Sequence, residues 1–177
     1  MNWAGIEQAL WTWVVGASQL PGTQVIWSEQ NGPRPNTPFI AMSIAEVRQI
    51  GIGWVDGQYA ASTYTALSRG VRECTLRLQC FGASPVGDQS PRAILELVQT
   101  RGNLDSLHSG LMAAGIGMSR FEPMIVLGAE LNQVVFEPRA IINAHFFLAA
   151  EETETSNYIE TVEITDEIDG RTITVTT

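Results

Sequence analysis

Side chains able to do chemistry are few and scattered along this 177-residue chain. Its two histidines, His108 and His145, fall in a predicted helix and a predicted strand, with no Cys-x-x-C, His-x-x-x-His or Cys/His cluster at ligand spacing. No metal site is expected, and each imidazole is expected to be a surface or hydrogen-bonded structural group. Cys74 and Cys80 lie in one alternating stretch, where an extended chain holds their Cα atoms roughly 20 Å apart, too far for a disulfide. Both share its apolar face, so inert, buried thiols are expected. Gly51-Ile-Gly53-Trp-Val-Asp-Gly57 resembles a dinucleotide-binding turn superficially, but its third glycine is one position late and no helical pattern follows. Gly115-Ile-Gly117 fails for the same reason. Gly82-Ala-Ser84 has proline directly after the serine, which removes the amide an oxyanion hole needs. The paired carboxylates Glu151-Glu152 and Asp166-Glu167 sit in polar segments suited to solvated charge. All ten basic residues are arginine, so Schiff-base and phosphate-loop lysines are absent. No catalytic, cofactor-binding or metal-binding residue is assigned, and an enzyme is not expected.

The elements around these residues are easier to read. Asn2 can cap a helix in which Trp3, Ile6, Leu10, Trp13, Val14 and Ala17 recur at spacings of three and four until Pro21-Gly22. Gln24 to Ser28 reads as a short strand, followed by a proline-rich connection through Pro38. Phe39 to Ile50 reads as a long strand, apolar on both faces at first and solvent-facing from Glu46. Gly51 to Ser68 is an excursion carrying Trp54, Tyr59 and Tyr64. Val71 to Phe81 alternates, with Cys74, Leu76, Leu78 and Cys80 on one face and Glu73, Thr75, Arg77 and Gln79 on the other, as in a half-buried strand. Ser90-Pro91 opens a second helix, and Leu104 to Ala113 reads as a third. Ile116 to Phe121 and Met124 to Leu127 are strand-like pieces broken at Pro123, and Glu137 to Ala150 alternates as the last core strand. Glu151 to Asn157 reads as an acidic linker. Beyond it, Tyr158 to Ile168 and Arg171 to Thr177 flank Asp169-Gly170, a two-residue hairpin signal.

This order predicts an α+β fold: a mainly antiparallel or mixed sheet with about three helices packed on it, plus an extended β-loop and a C-terminal hairpin arm. Two segments are expected, an α+β domain over 1–150 and an acidic arm over 151–177. The formal net charge is -9, with 11 acids and 9 arginines before residue 151 and 8 acids with Arg171 alone after it. A nearly neutral body thus carries an acidic tail, and coating of nucleic acid or of an anionic membrane is disfavoured. No apolar run approaches the ~18 residues of a membrane span. The first residues lack a secretory pattern, so a reducing cytoplasm is the expected compartment.

Two features find no enzymatic use: the Gly/aromatic excursion and the terminal hairpin, both shaped like assembly arms. The runs Val25-Ile-Trp-Ser-Glu-Gln-Asn-Gly-Pro-Arg-Pro-Asn-Thr-Pro-Phe-Ile, Arg69-Gly-Val-Arg-Glu-Cys-Thr-Leu-Arg-Leu-Gln-Cys-Phe-Gly and Phe136-Glu-Pro-Arg-Ala resemble the neck or tail terminator proteins of long-tailed bacteriophages. Tyr158-Ile-Glu-Thr-Val-Glu-Ile is similar to that family's ending. The resemblance implies a structural virion protein, assembled in the host cytoplasm, that forms a ring, commonly six-fold. Such a ring would cap the tail tube, join it to the head connector, and let genomic DNA pass without specific binding. No cofactor or membrane contact is implied. Trp54, Tyr59, Tyr64, Arg69 and Arg72, with Ile159, Val162, Ile164, Ile173 and Val175 of the arm, are the candidate interface residues. Two other readings stay open. One is a small hydrolase or transferase with a deep pocket holding His108 or His145 beside a carboxylate. The other is a monomeric adaptor binding through the tryptophan-rich helix.

Overall fold

A computed structural model describes residues 1–60, 63–132, 135–157, 161–165 and 172–176. Contacts divide the chain into two compact units, Met1–Ile50 with Val71–Ala149 and Gly51–Gly70 with Ala150–Thr177.

In the first unit, helix α1 spans Trp3–Ser18 and starts where its cap predicts, with Asn2 Oδ1 accepting from the Gly5 amide at 3.1 Å. It ends at Gln19 in the left-handed region, whose N–H donates to the Val15 carbonyl. Helix α2 spans Pro91–Arg101, with Ser90 Oγ accepting from the Ala93 amide at 3.3 Å and proline at the first helical position. Helix α3, Asp105–Ala113, has Asp105 in its first turn. The strands are β1 (Val25–Trp27), β2 (Phe39–Ala60), β3 (Thr63–Phe81), β4 (Ile116–Phe121), β5 (Ile125–Asn132) and β6 (Val135–Asn157).

Sheet order is β1-β2-β3-β6-β4, with β5 also on β6. Strand β1 is parallel to β2, Val25 opposite Ile40, whereas β4 and β5 run antiparallel to successive stretches of β6. Ile116 lies opposite Leu148 and Phe121 opposite Ala144; after the break at Pro123, Ile125 lies opposite Ile141 and Asn132 opposite Val135. The sheet is therefore mixed, as the α+β reading requires.

One core joins the helices to one sheet face. Ile6, Leu10, Trp13 and Val14 of α1 and Ile94, Leu95 and Val98 of α2 pack with Cys74, Leu76, Leu78 and Cys80 of β3 and Ala140, Ile142, Ala144, Phe146 and Leu148 of β6. Because these strand residues alternate, the period of two puts all of them on the helix side. Trp13 is the hub: it stacks on Phe121 at 6.1 Å, meets Phe146 edge-on at 5.3 Å, and donates from Nε1 to the Gly102 carbonyl at 3.1 Å. Of the tryptophan-rich stripe of α1, Trp13 is thus buried in its own domain, while Trp3 is 37 % exposed. Trp11 is held likewise, its Nε1 donating to the Val25 carbonyl at 2.8 Å.

In the second unit, residues 51–60 of β2 and 63–70 of β3 are strand, where the sequence suggests a loop. Gly51 turns through the left-handed region at φ 67°, whereas Gly53 and Gly57 admit close neighbours: a Cβ on Gly53 would lie 2.9 Å from the Arg69 carbonyl oxygen, and one on Gly57 would strike the Tyr64 ring. Strand β6 also runs through Asn157, so residues 151–157, expected as linker, are strand; Thr153 and Thr155, alternating with Glu152 and Glu154, suit a pleated chain. Strands β7 (Thr161–Thr165) and β8 (Thr172–Thr176) form a separate two-stranded antiparallel sheet. The expected turn at Asp169-Gly170 lies outside the described residues.

Candidate assembly site

The predicted interface residues are placed as follows. Trp54 is 55 % exposed, beside Ile52 at 96 % and Val55 at 65 %, all on the 51–60 limb of β2. Tyr59 lies on the same limb. Tyr64 is half-buried over Gly57 across the hairpin, so its ring is occupied within its own unit. Arg69 Nε pairs with Glu151 at 3.1 Å. Arg72 is half-buried, with Nη1 donating to the Val71 carbonyl at 3.3 Å. Of the arm residues, Val162 is opposite Val175 and Ile164 opposite Ile173, while Ile159 lies outside the described residues.

Two surfaces were missed by the sequence reading. The first is the edge strand β5, where Ile125, Val126 and Leu127 are 56 %, 61 % and 40 % exposed. The apolar run after Pro123 was its signal; it reads as a strand-like piece broken from its predecessor, but among the described residues it pairs with β6 alone, which leaves it outside the core.

The second is the sheet face opposite the helices, which the alternation at 73–79 marks as polar but not as buried. Glu73 is 4 % exposed and His145 6 %. Arg48 Nε donates to Glu73 Oε2 at 2.6 Å, and Arg120 Nη1 lies 3.4 Å from Glu73 Oε1. The imidazole of His145 stands between two carboxylates, Nε2 at 2.8 Å from Glu122 Oε1 and Nδ1 at 3.3 Å from both Glu73 Oε1 and Thr75 Oγ1. Asn143 Nδ2 donates to Glu122 Oε2 at 2.7 Å and accepts at Oδ1 from Arg77 Nε at 3.4 Å. Further along this face, Phe39 and Phe81 stack at 4.6 Å beneath the Arg34 guanidinium, which pairs with Glu137. Arg139 lies over Phe81 and donates to Gln79.

The carboxylates of this network are engaged by guanidinium, amide and imidazole donors, so the buried charge of Glu73 is paired. His145 thus has the carboxylates the enzyme reading asked for, yet neither it nor His108 lines any of three clefts of 290, 220 and 150 Å³.

The hydrogen bond from Arg48, with its charge and that of Arg120, holds the Glu73 carboxyl below the usual carboxylate range. The hydrogen bonds from Asn143 and His145 hold Glu122 below it too. Carboxyls lowered in the folded state stabilise it fully above their unfolded value, near 4.5, and lose that contribution as pH falls through the folded value. The melting temperature is therefore expected to fall as pH drops below about 4.5. Glu122→Gln is expected to flatten this slope, and a slope unchanged by that substitution would exclude Glu122 from it; calorimetry across pH 3–7 is the measurement.

The sequence profile of a family described as phage neck terminator protein matches residues 4–174. No curated protein matches the chain.

Proposed function

The chain belongs to the phage neck terminator protein family, and from that premise we propose that its copies close into a ring of six that caps the tail tube and joins it to the head connector. A structural role in the phage neck, and a place in the virion, follow from the family itself. The ring is the added step, and the observation that carries it is the apolar limb of β2, where Ile52, Trp54 and Val55 are 96 %, 55 % and 65 % exposed. A folded chain gains nothing from presenting these to water, and such a patch marks a protein contact. Closed rings need a heterologous interface, in which a projecting element of one copy meets a different surface of the next.

Trp54, Tyr59, Tyr64 and Arg69 of the second unit belong to this contact, and Arg72 of the first unit pairs with an acid of a neighbouring copy. Val162, Ile164, Ile173 and Val175, with Ile159, form an arm that augments a neighbouring copy. The net charge of -9 fits a passage that genomic DNA traverses without being gripped. Assembly takes place in the host cytoplasm, and the role requires neither catalysis nor a cofactor.

Native mass spectrometry with negative-stain images of the purified chain tests the reading. Closed six-membered rings are expected. A monomer at every concentration, unaltered by removal of residues 151–177, would overturn it.

A further inference from the structure

We propose that the free edge of β5 is the acceptor for the C-terminal hairpin of a second copy, with β7–β8 adding to it as further strands. The proposal rests on the ring reading and names the two surfaces that meet.

Among the described residues β5 pairs with β6 alone, so its outer backbone N–H and C=O groups have no strand partner. Edge strands are ordinarily protected by charge, proline or a bulge. Here the bulge and Glu130 lie toward the far end of the strand, and Ile125-Val126-Leu127 is exposed at all three positions. The hairpin presents the reciprocal need. Its strands, five residues each, make a two-stranded sheet with no third strand among the described residues, an arrangement marginal in water by itself. Val162 opposite Val175 and Ile164 opposite Ile173 place its apolar positions in register, so one added strand brings a whole β-branched row with it. Strand addition supplies main-chain hydrogen bonds along an edge and takes its specificity from alternate side chains.

Leu127 is opposite Arg139 in the β5–β6 ladder and shares its face. Arg139 donates to Gln79 and Arg77 to Asn143, and neither guanidinium is paired with a carboxylate among the described residues. The segment 151–177 carries 8 acids against Arg171 alone, with Glu163 at the centre of β7. Both guanidiniums thus engage side chains of β3 and β6, and the charged residue of β5 itself is Glu130, so what the hairpin offers this edge is its β-branched row.

Two full-length versions of different mass test the pairing, one carrying Leu127→Cys and the other Thr161→Cys, Glu163→Cys or Thr165→Cys in turn. They are mixed under mild oxidation; Cys74 and Cys80 are buried and stay out of the reaction. A mixed disulfide is expected to exceed like-with-like products for at least one of the three. Leu127→Glu is expected to raise the concentration for half-assembly at least tenfold, and Ile164→Asp, on the other partner, is expected to match it should Leu127→Glu fold poorly. Rings that form without a mixed disulfide and without either shift overturn this pairing and leave the ring reading standing. A monomer at all concentrations overturns both. A disulfide within single chains carrying both cysteines, with no mixed species, makes the chain's own hairpin the occupant and overturns the second copy.

Discussion

Exchanging Ile52 and Trp54 together for serine is expected to leave folding stability within about 0.5 kcal/mol while abolishing assembly at concentrations where the unaltered chain is fully assembled. The two halves of this expectation have one cause. At 96 % and 55 % exposure these side chains contribute little to the fold of a single copy. Across an interface they become its apolar centre: a buried tryptophan anchor is worth about 2 kcal/mol or more, and a buried isoleucine about 1.5–3 kcal/mol. Losing both raises the dissociation constant of one contact by roughly a thousandfold, and each copy in a ring makes two such contacts. Sedimentation velocity paired with circular dichroism reads both quantities. Full assembly by the double variant would exclude the limb from the interface.

The converse separation is expected at Trp13. Trp13→Ala should cost about 3–5 kcal/mol, a large share of the 5–15 kcal/mol typical of a domain. Trp13 is 2 % exposed and holds three parts of the core together: Phe121 on β4, Phe146 on β6 and the Gly102 carbonyl after α2. Removing it leaves a cavity between all of them and an unsatisfied carbonyl. Trp13→Phe should recover most of the packing but not the hydrogen bond, an intermediate loss of about 1–3 kcal/mol. Urea unfolding measures both, and a loss below about 1 kcal/mol for alanine would contradict the hub role.

These residues also show what the sequence could convey. The α1 stripe, the caps at Asn2 and Ser90, and the alternation from Cys74 to Cys80 were legible because each is a local rule obeyed without competition. Gly51 to Ser68 was not, since glycine lowers strand propensity while the compensating contact, Tyr64 over Gly57, is made across the hairpin. Glu151 to Asn157 was hidden by its charge, for solvated linkers and exposed strands share a composition. The network from Arg48 through Glu73 and His145 to Glu122 was out of reach altogether. It draws on β2, β3, β4's end and β6, so its members are neighbours only after the sheet forms. The β5 edge was invisible for the same reason, because an apolar run does not declare whether it is covered.

The helix-side row of β3 has a further consequence for a particle that leaves its host. Burial pushes the thiol of Cys74 up to about 11 and that of Cys80 up to about 12. At neutral pH both therefore stay protonated beneath the helices and are poor nucleophiles. Outside a cell, where no reductant is supplied, a reactive surface thiol would link particles or scramble a ring; this chain carries its thiols where oxidants arrive last. The same placement makes alkylation of either cysteine a clock for opening of the whole core, since Cys74 and Cys80 sit in one strand and are uncovered together when it comes away from the helices.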